Sequence, residues 1–299
     1  MTRNCAFDET RDCQSVGETL DDYDRRELLG CNSNSDDPLL PLDQHAYELG
    51  QLLVELGEHH LTQDWSRIGF GLHTVSGIIK SKFVAGRYDE SLLYYELERE
   101  RVDQWGEIIG ALITEQTKFR EAYNLLEYLT VKHASIRRNV RNRESKHATI
   151  SRILDEHFTD VRRVSRHYRC VVGNIKIYAK VNPKRYGRLI PLNLATHEAQ
   201  PTAGDGVRIA AELRNILAHE PLSLTWIDIE PRDALGTRRV TRLATRLVLY
   251  AIQMLAAKEA FGEHCIIGNC EDEEDHQFVS VTDLLLRADC GWRRSIEST

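Results

Sequence analysis

The chain has 299 residues, 41% of them apolar and 28% charged, which is long enough for two domains and apolar enough to bury a sizeable core. Seven scattered cysteines, an odd number, argue against a disulfide framework and for reduced thiols in the cytoplasm. The formal net charge of −7 is not spread evenly: residues 1–43 carry 11 acidic and 4 basic side chains, whereas residues 132–190 carry 16 Lys or Arg against 4 Asp or Glu.

In chain order, residues 1–43 are acidic and poor in large apolar side chains, and a disordered tail is expected. No apolar leader opens the chain, and the apolar run Leu247 to Ala257 is too short to cross a bilayer, so a cytoplasmic protein with no membrane contact is expected. Residues 44–130 read as helical. Ala46, Leu49, Leu52, Leu53 and Leu56 recur at helical spacing. A second helix is expected over Trp65 to Ala85, against the presence of Gly69, Gly71 and Gly77. Ser91 to Leu97 is apolar and aromatic. Trp105 to Leu129 predicts one or two long helices buried through Trp105, Ile108, Ile109, Leu112, Ile113, Phe119, Tyr123, Leu126 and Leu129.

Residues 131–195 form the basic middle, which favours a polyanionic partner by the electrostatics of phosphate binding. His147 to Phe158 predicts a helix. Tyr168 to Val172 and Ile175 to Val181, joined by Gly173-Asn174, predict a β-hairpin, with Ile175, Ile177, Ala179 and Val181 on its apolar face. Residues 196–204 read as a linker. Asp205 is placed to cap a helix running to His219 or Glu220, with Pro221 as a stop signal. Thr237 to Phe261 predicts the last long helix, ended by Gly262, with Arg238, Arg239, Arg242 and Arg246 on its polar side. Residues 263–299, with the acidic run Glu271 to Asp275, are expected to be peripheral.

The string ELRNILAHE, Glu212 to Glu220, carries the chemistry. Asn215 and His219 are four apart and share a helical face, while Arg214 stands about 140° round from His219 on an ideal helix. Attack of a ribose 2′-hydroxyl on the adjacent phosphate needs proton transfer near neutral pH, which histidine suits. Arginine offers a fixed fork of donors for the charge that builds on the phosphoryl oxygens. Asn215 would orient the imidazole or donate to phosphate. No step in this scheme requires a metal or cofactor, and none is expected. Arg-x4-His alone is a common pattern: Arg162 with His167 also fits it, and Arg141-Asn142 with His147 fits a five-residue gap. The frame around Arg214 adds the asparagine, the small residue before His219 and the following proline. The bland alternative is a helix C-terminus at which histidine meets the helix dipole.

Arg214-Asn215 followed by Ile-Leu-Ala-His219 resembles the signature of HEPN domains. That resemblance implies a helical bundle, a homodimer with two motifs facing across a two-fold axis, and RNA cleavage to a 2′,3′-cyclic phosphate and a 5′-hydroxyl. It further implies a toxin or an anti-phage or CRISPR-linked effector, with an antitoxin or immunity partner. Arg214, Asn215 and His219 are the positions it assigns to catalysis. Residues 119–195 in turn resemble a winged-helix module, with Ala148 to Asp155 as recognition helix and the Tyr168–Val181 hairpin as wing. Arg137, Arg138, Arg141, Arg143, Lys146 and Arg152, together with Lys176, Tyr178, Lys180, Lys184 and Arg185, would then contact RNA or DNA.

The expected fold is therefore mainly α: a HEPN-like bundle from residues 44–130 and 196–262, a small winged-helix-like α+β module inserted at 131–195, and a C-terminal extension at 263–299. The expected function is a metal-independent endoribonuclease. The alternatives are a winged-helix transcriptional regulator with a non-catalytic dimerising bundle, and a HEPN-like adaptor for a partner protein. His264, Cys265, Cys270 and His276 have a spacing that zinc accepts but that is not diagnostic.

Overall fold

The computed structural model describes residues 40–78, 96–133, 136–137, 144–159, 166–190, 200–219, 231–267 and 277–289. Among the described residues the longer helices are, in chain order, α1 (Leu42–His59), α2 (Gln63–Gly77), α3 (Glu96–Lys132), α4 (Lys146–His157), α5 (Arg166–Val181), α6 (Asp205–His219) and α7 (Pro231–Glu259). Between α5 and α6 lie a single helical turn, Pro183–Tyr186, and a 3-10 turn, Gly187–Leu189. An antiparallel pair, β1 (His264–Ile267) and β2 (Gln277–Ser280), pairs Cys265 with Val279, and the short α8 (Val281–Leu286) follows it. The protein is mainly α, and this pair is the only sheet among the described residues.

The first two helices form a close hairpin. The expected stripe of Ala46, Leu49, Leu52, Leu53 and Leu56 is buried on α1, and α2 answers with Trp65, Ile68, Leu72 and Val75. Gly69 does not break α2; it lets the two backbones touch. A Cβ on Gly69 would stand 2.5 Å from the Gly50 carbonyl oxygen, and one on Gly50 would stand 2.8 Å from the Gly69 carbonyl oxygen. The helix ends at Gly77, with Ile78 in an extended conformation, short of the expected Ala85; residues 79–85 lie outside those described. The stretch expected as one or two helices is a single helix of 37 residues, α3, and its Ile109, Leu112, Phe119, Tyr123, Leu126 and Leu129 are buried.

The hub is α7, which touches α1, α3, α4, α5, α6 and α8. Such a position requires a helix apolar on all sides. Leu247 to Ala257 meets that requirement, each residue being at most 3% exposed. The apolar span is longer than the sequence reading allowed: Gly236–Glu259 has the length and hydropathy to cross a bilayer, but 89% of its most apolar window is buried inside the protein. Gly262 ends the segment with a left-handed backbone, φ +89°, as expected of a residue without Cβ.

Two expectations are overturned. Tyr168–Val181 is not a hairpin but most of helix α5, so the wing does not form. Tyr168, Val171, Val172, Ile175 and Ala179 are buried, and their spacing is helical. The alternation that suggested a strand rests on Ile177, which is only half-buried. Nor is the C-terminal extension wholly peripheral: Val281, Leu284, Leu285 and Ala288 join the main core. Helices α4 and α5 contribute Ile150, Ile153, Leu154, Val171 and Ile175 to that same core, which also holds Leu49, Leu126 and Leu247. The basic middle is thus packed with both flanking helical segments.

A polar cluster sits inside this core. Asp289, 1% exposed, accepts from the Tyr250 hydroxyl at 3.0 Å and lies 3.2 Å from His167 Nδ1. The Leu40 N–H donates to the Asp289 carbonyl oxygen at 2.9 Å, and Arg246 donates to the Leu40 carbonyl at 2.8 Å. The two ends of the described chain are thereby tied to α7.

Candidate active site on the motif helix

Helix α6 carries the motif. Its inner face, Val207, Ala210, Ala211, Leu213 and Ile216, is buried against the core, and α4 and α7 are its neighbours. The Asp205 carboxylate faces backwards, accepting from the Thr202 N–H at 2.7 Å and from Arg208 Nη1 at 2.7 Å. Arg208 also bridges to Asp155 of α4, and Asp155 accepts from the Gly204 N–H at 2.7 Å. These bonds fix how α6 starts and where it lies on α4. The Tyr168 hydroxyl accepts from the Gly206 N–H at 2.8 Å and donates to the Thr202 carbonyl at 2.8 Å, tying α5 to the same turn.

On the opposite side Arg214 and Asn215 are exposed. The Arg214 guanidinium lies 5.9 Å from the centroid of the Tyr123 ring of α3, within cation–π reach. Among the described residues it has no ion pair, unlike Arg152, Arg208 and Arg242, each of which meets a carboxylate. His219 is the last residue of α6; its side chain, and residues Glu220 and Pro221, lie outside those described. The helix therefore brings Arg214 and Asn215 to solvent one turn and more before position 219.

Two residues beside Arg214 were not assigned to this site by sequence reasoning. Burial, reinforced by Glu127 and opposed by Arg214, pushes the Tyr123 hydroxyl up to about 12, so it stays protonated. His147, second residue of α4, has its imidazole pKa lowered, chiefly by burial and further by Arg214, against the pull of Glu127 and Glu212. In the sequence its only signal was Arg141-Asn142-x4-His147, which spacing alone made a decoy. The other decoy histidine, His167, is buried against Asp289.

The expected nucleic-acid contacts divide. Arg138, Arg141 and Arg143 lie outside the described residues. Arg137, Lys146, Lys180 and Lys184 are exposed, and Lys146 Nζ stands 3.8 Å from Glu127. Arg152 instead faces Glu144 at 3.1 Å and Glu156 at 3.2 Å. Tyr178 accepts from Arg239 at 2.9 Å, and Arg185 lies over the Tyr186 ring at 5.5 Å. Lys176 is half-buried, with its pKa lowered by burial and then by Lys180. Helix α4, which contains the expected recognition helix, buries Thr149, Ile150, Ser151, Ile153 and Leu154. Among the zinc candidates, Cys270 and His276 lie outside the described residues, while His264 is exposed with Nδ1 3.1 Å from the Gly262 carbonyl. No group of three or more metal-ligating side chains forms among the described residues.

Compared with protein-family models, with curated proteins and with solved structures, the chain matches none.

Proposed function

We propose that the protein is a metal-independent endoribonuclease of the HEPN type, in which Arg214, Asn215 and His219 act on a phosphodiester of RNA. The observation that carries this reading is the state of Arg214. It stands exposed on a helix whose start is fixed by Asp155, Asp205 and Arg208, and no carboxylate neutralises it among the described residues. A guanidinium held over a ring and left unpaired is arranged for an anion that arrives from outside. In the reaction Arg214 donates to the non-bridging oxygens, Asn215 positions the phosphate or the imidazole, and His219 transfers a proton. The fold adds a mainly α frame, the architecture the motif calls for. A homodimer that sets two motif helices across a two-fold axis belongs to the same proposal, as does a role as toxin or defence effector with an antitoxin or immunity partner.

The test is incubation of labelled single-stranded RNA in EDTA with wild type, His219→Ala and Arg214→Ala. Wild type leaves 2′,3′-cyclic phosphate ends, and each variant loses about 10²–10⁴-fold in rate while keeping its helical circular dichroism. Failure of wild type to cut any of several RNAs, or full activity in His219→Ala, overturns the reading.

A further inference from the structure

Three helices converge beside Arg214. Tyr123 and Glu127 are one turn apart on α3 and share a face. Lys146 and His147 open α4, which packs against α6 and touches α3, and Glu212 and Arg214 come from α6. The pieces are joined by the Arg214–Tyr123 contact at 5.9 Å and by Lys146 Nζ at 3.8 Å from Glu127 Oε2. His147 is half-buried, with Nε2 3.1 Å from the hydroxyl of Ser145. That hydroxyl also caps α4 by accepting from the Ala148 N–H at 3.3 Å. The imidazole is thus anchored through one nitrogen on a helix cap, and Nδ1 has no protein partner among the described residues. Of the charged groups acting on the ring, Arg214 opposes Glu127 and Glu212, and Lys146 Nζ stands 3.8 Å from Glu127.

Building on the ribonuclease reading, we propose that His147 faces the same phosphodiester as Arg214 and accepts the 2′-hydroxyl proton, so that the site draws its two histidines, His147 and His219, from two different helices. The 2′-oxygen–phosphorus bond forms as the bond from phosphorus to the 5′-oxygen breaks. The 2′-hydroxyl proton passes to His147, and a proton from the imidazolium of His219 passes to the departing 5′-oxygen. Both rings then reset by exchange with water. The division of labour follows from where the two residues sit. A helix N-terminus disfavours a cation, and His147 is the second residue of α4; a helix C-terminus favours one, and position 219 is the last of α6. Burial and Arg214 also lower the His147 imidazole pKa, against the opposing carboxylates of Glu127 and Glu212, which favours the neutral form a base requires.

The experiment compares wild type with His147→Gln in three measurements: cleavage rate against pH, binding of a 2′-O-methyl oligoribonucleotide by fluorescence anisotropy, and imidazole carbon–proton NMR signals during that binding. The expected result is a rate loss of about 10²–10⁴-fold with unchanged binding, and loss of the rise in rate on the acid side of the pH profile. If wild type cleaves and His147→Gln matches it in rate and profile, this inference falls and the ribonuclease reading stands. If wild type cleaves nothing, that reading falls, and the NMR signals decide the rest. A His147 signal that the oligonucleotide shifts, and that Arg214→Ala releases, supports a shared anion site; a signal that does not respond removes His147 from it.

Discussion

His45 provides a pH probe for the buried polar cluster. Its ring is fully buried, with Nε2 3.1 Å from Gln253 Oε1 and Nδ1 3.3 Å from Arg246 Nη1. Arginine can only donate, so Nδ1 accepts, and the ring's one proton sits on Nε2 facing the Gln253 oxygen. A second proton would set an N–H against a guanidinium in a dry site. Burial first, and Arg246 second, push the His45 pKa down to about 3, although Asp289 and Gln253 pull the other way. In the unfolded chain the ring titrates near its ordinary 6.5. The folded pKa is the depressed one, so this stabilisation is complete above about pH 6.5 and is lost as pH falls towards 3. The unfolded state takes up the proton that the folded state refuses, at about 1.4 kcal/mol per pH unit in that window, or about 2 kcal/mol by pH 5. Urea unfolding of wild type and His45→Gln between about pH 7.5 and about pH 5 isolates the effect, because other groups titrate in both proteins. Wild type should lead at the upper pH, and the gap should shrink by about 2 kcal/mol at the lower. A gap that stays constant across this range would refute both the assigned tautomer and the exclusion of the second proton.

The hairpin of α1 and α2 should be intolerant of a single methyl group. Gly69→Ala places a Cβ 2.5 Å from a backbone oxygen of the facing helix and should destabilise by about 1–3 kcal/mol in thermal or urea unfolding. Arg208→Met removes donors from Asp205, which is fully buried, and from Asp155. It should cost about 1–3 kcal/mol in urea unfolding and loosen α6 on α4, visible as faster amide exchange at Thr202 and Gly204.

Much of the helical core was legible because it is periodic. Ala46 to Leu56, Ile109 to Leu129 and Val240 to Leu255 each hold one phase long enough to name the buried face. Helix α5 was misread because Gly173-Asn174 looks like a hairpin turn, and four residues after it alternate. The longer period, Tyr168, Val171, Val172, Ile175 and Ala179, overrides that local signal once α7 supplies a surface to bury it. Gly173 merely occupies a roomy position, with nothing within 4 Å of an added Cβ. The motif helix was legible from its string, but its surroundings were not. Tyr123 is 91 positions from Arg214 and His147 is 67, so only tertiary packing could bring them together.

The basic middle looked from the sequence like one surface for phosphate, and the fold separates its members by partner. Arg152 is held by Glu144 and Glu156, and Arg185 lies over Tyr186. The arginines of α7, expected on a polar outer side, turn partly inward: Arg239 to Tyr178, Arg242 to Glu115, and Arg246 to His45 and Leu40. An arginine matched to an internal acceptor steadies a helix and has less to offer a ligand, since leaving that partner unsatisfied costs energy. Arg214 lacks any such ion pair among the described residues, and Lys146, expected only as a phosphate contact, stands next to His147 at the same junction. On the ribonuclease reading proposed above, the seam between α4 and α6 is where a strand would meet the Arg214 guanidinium, the Lys146 ammonium and the His147 imidazole together. On that same reading, net positive charge on the segment as a whole would bring RNA to the protein, and the Arg214 guanidinium, which no carboxylate meets among the described residues, would decide where it stops.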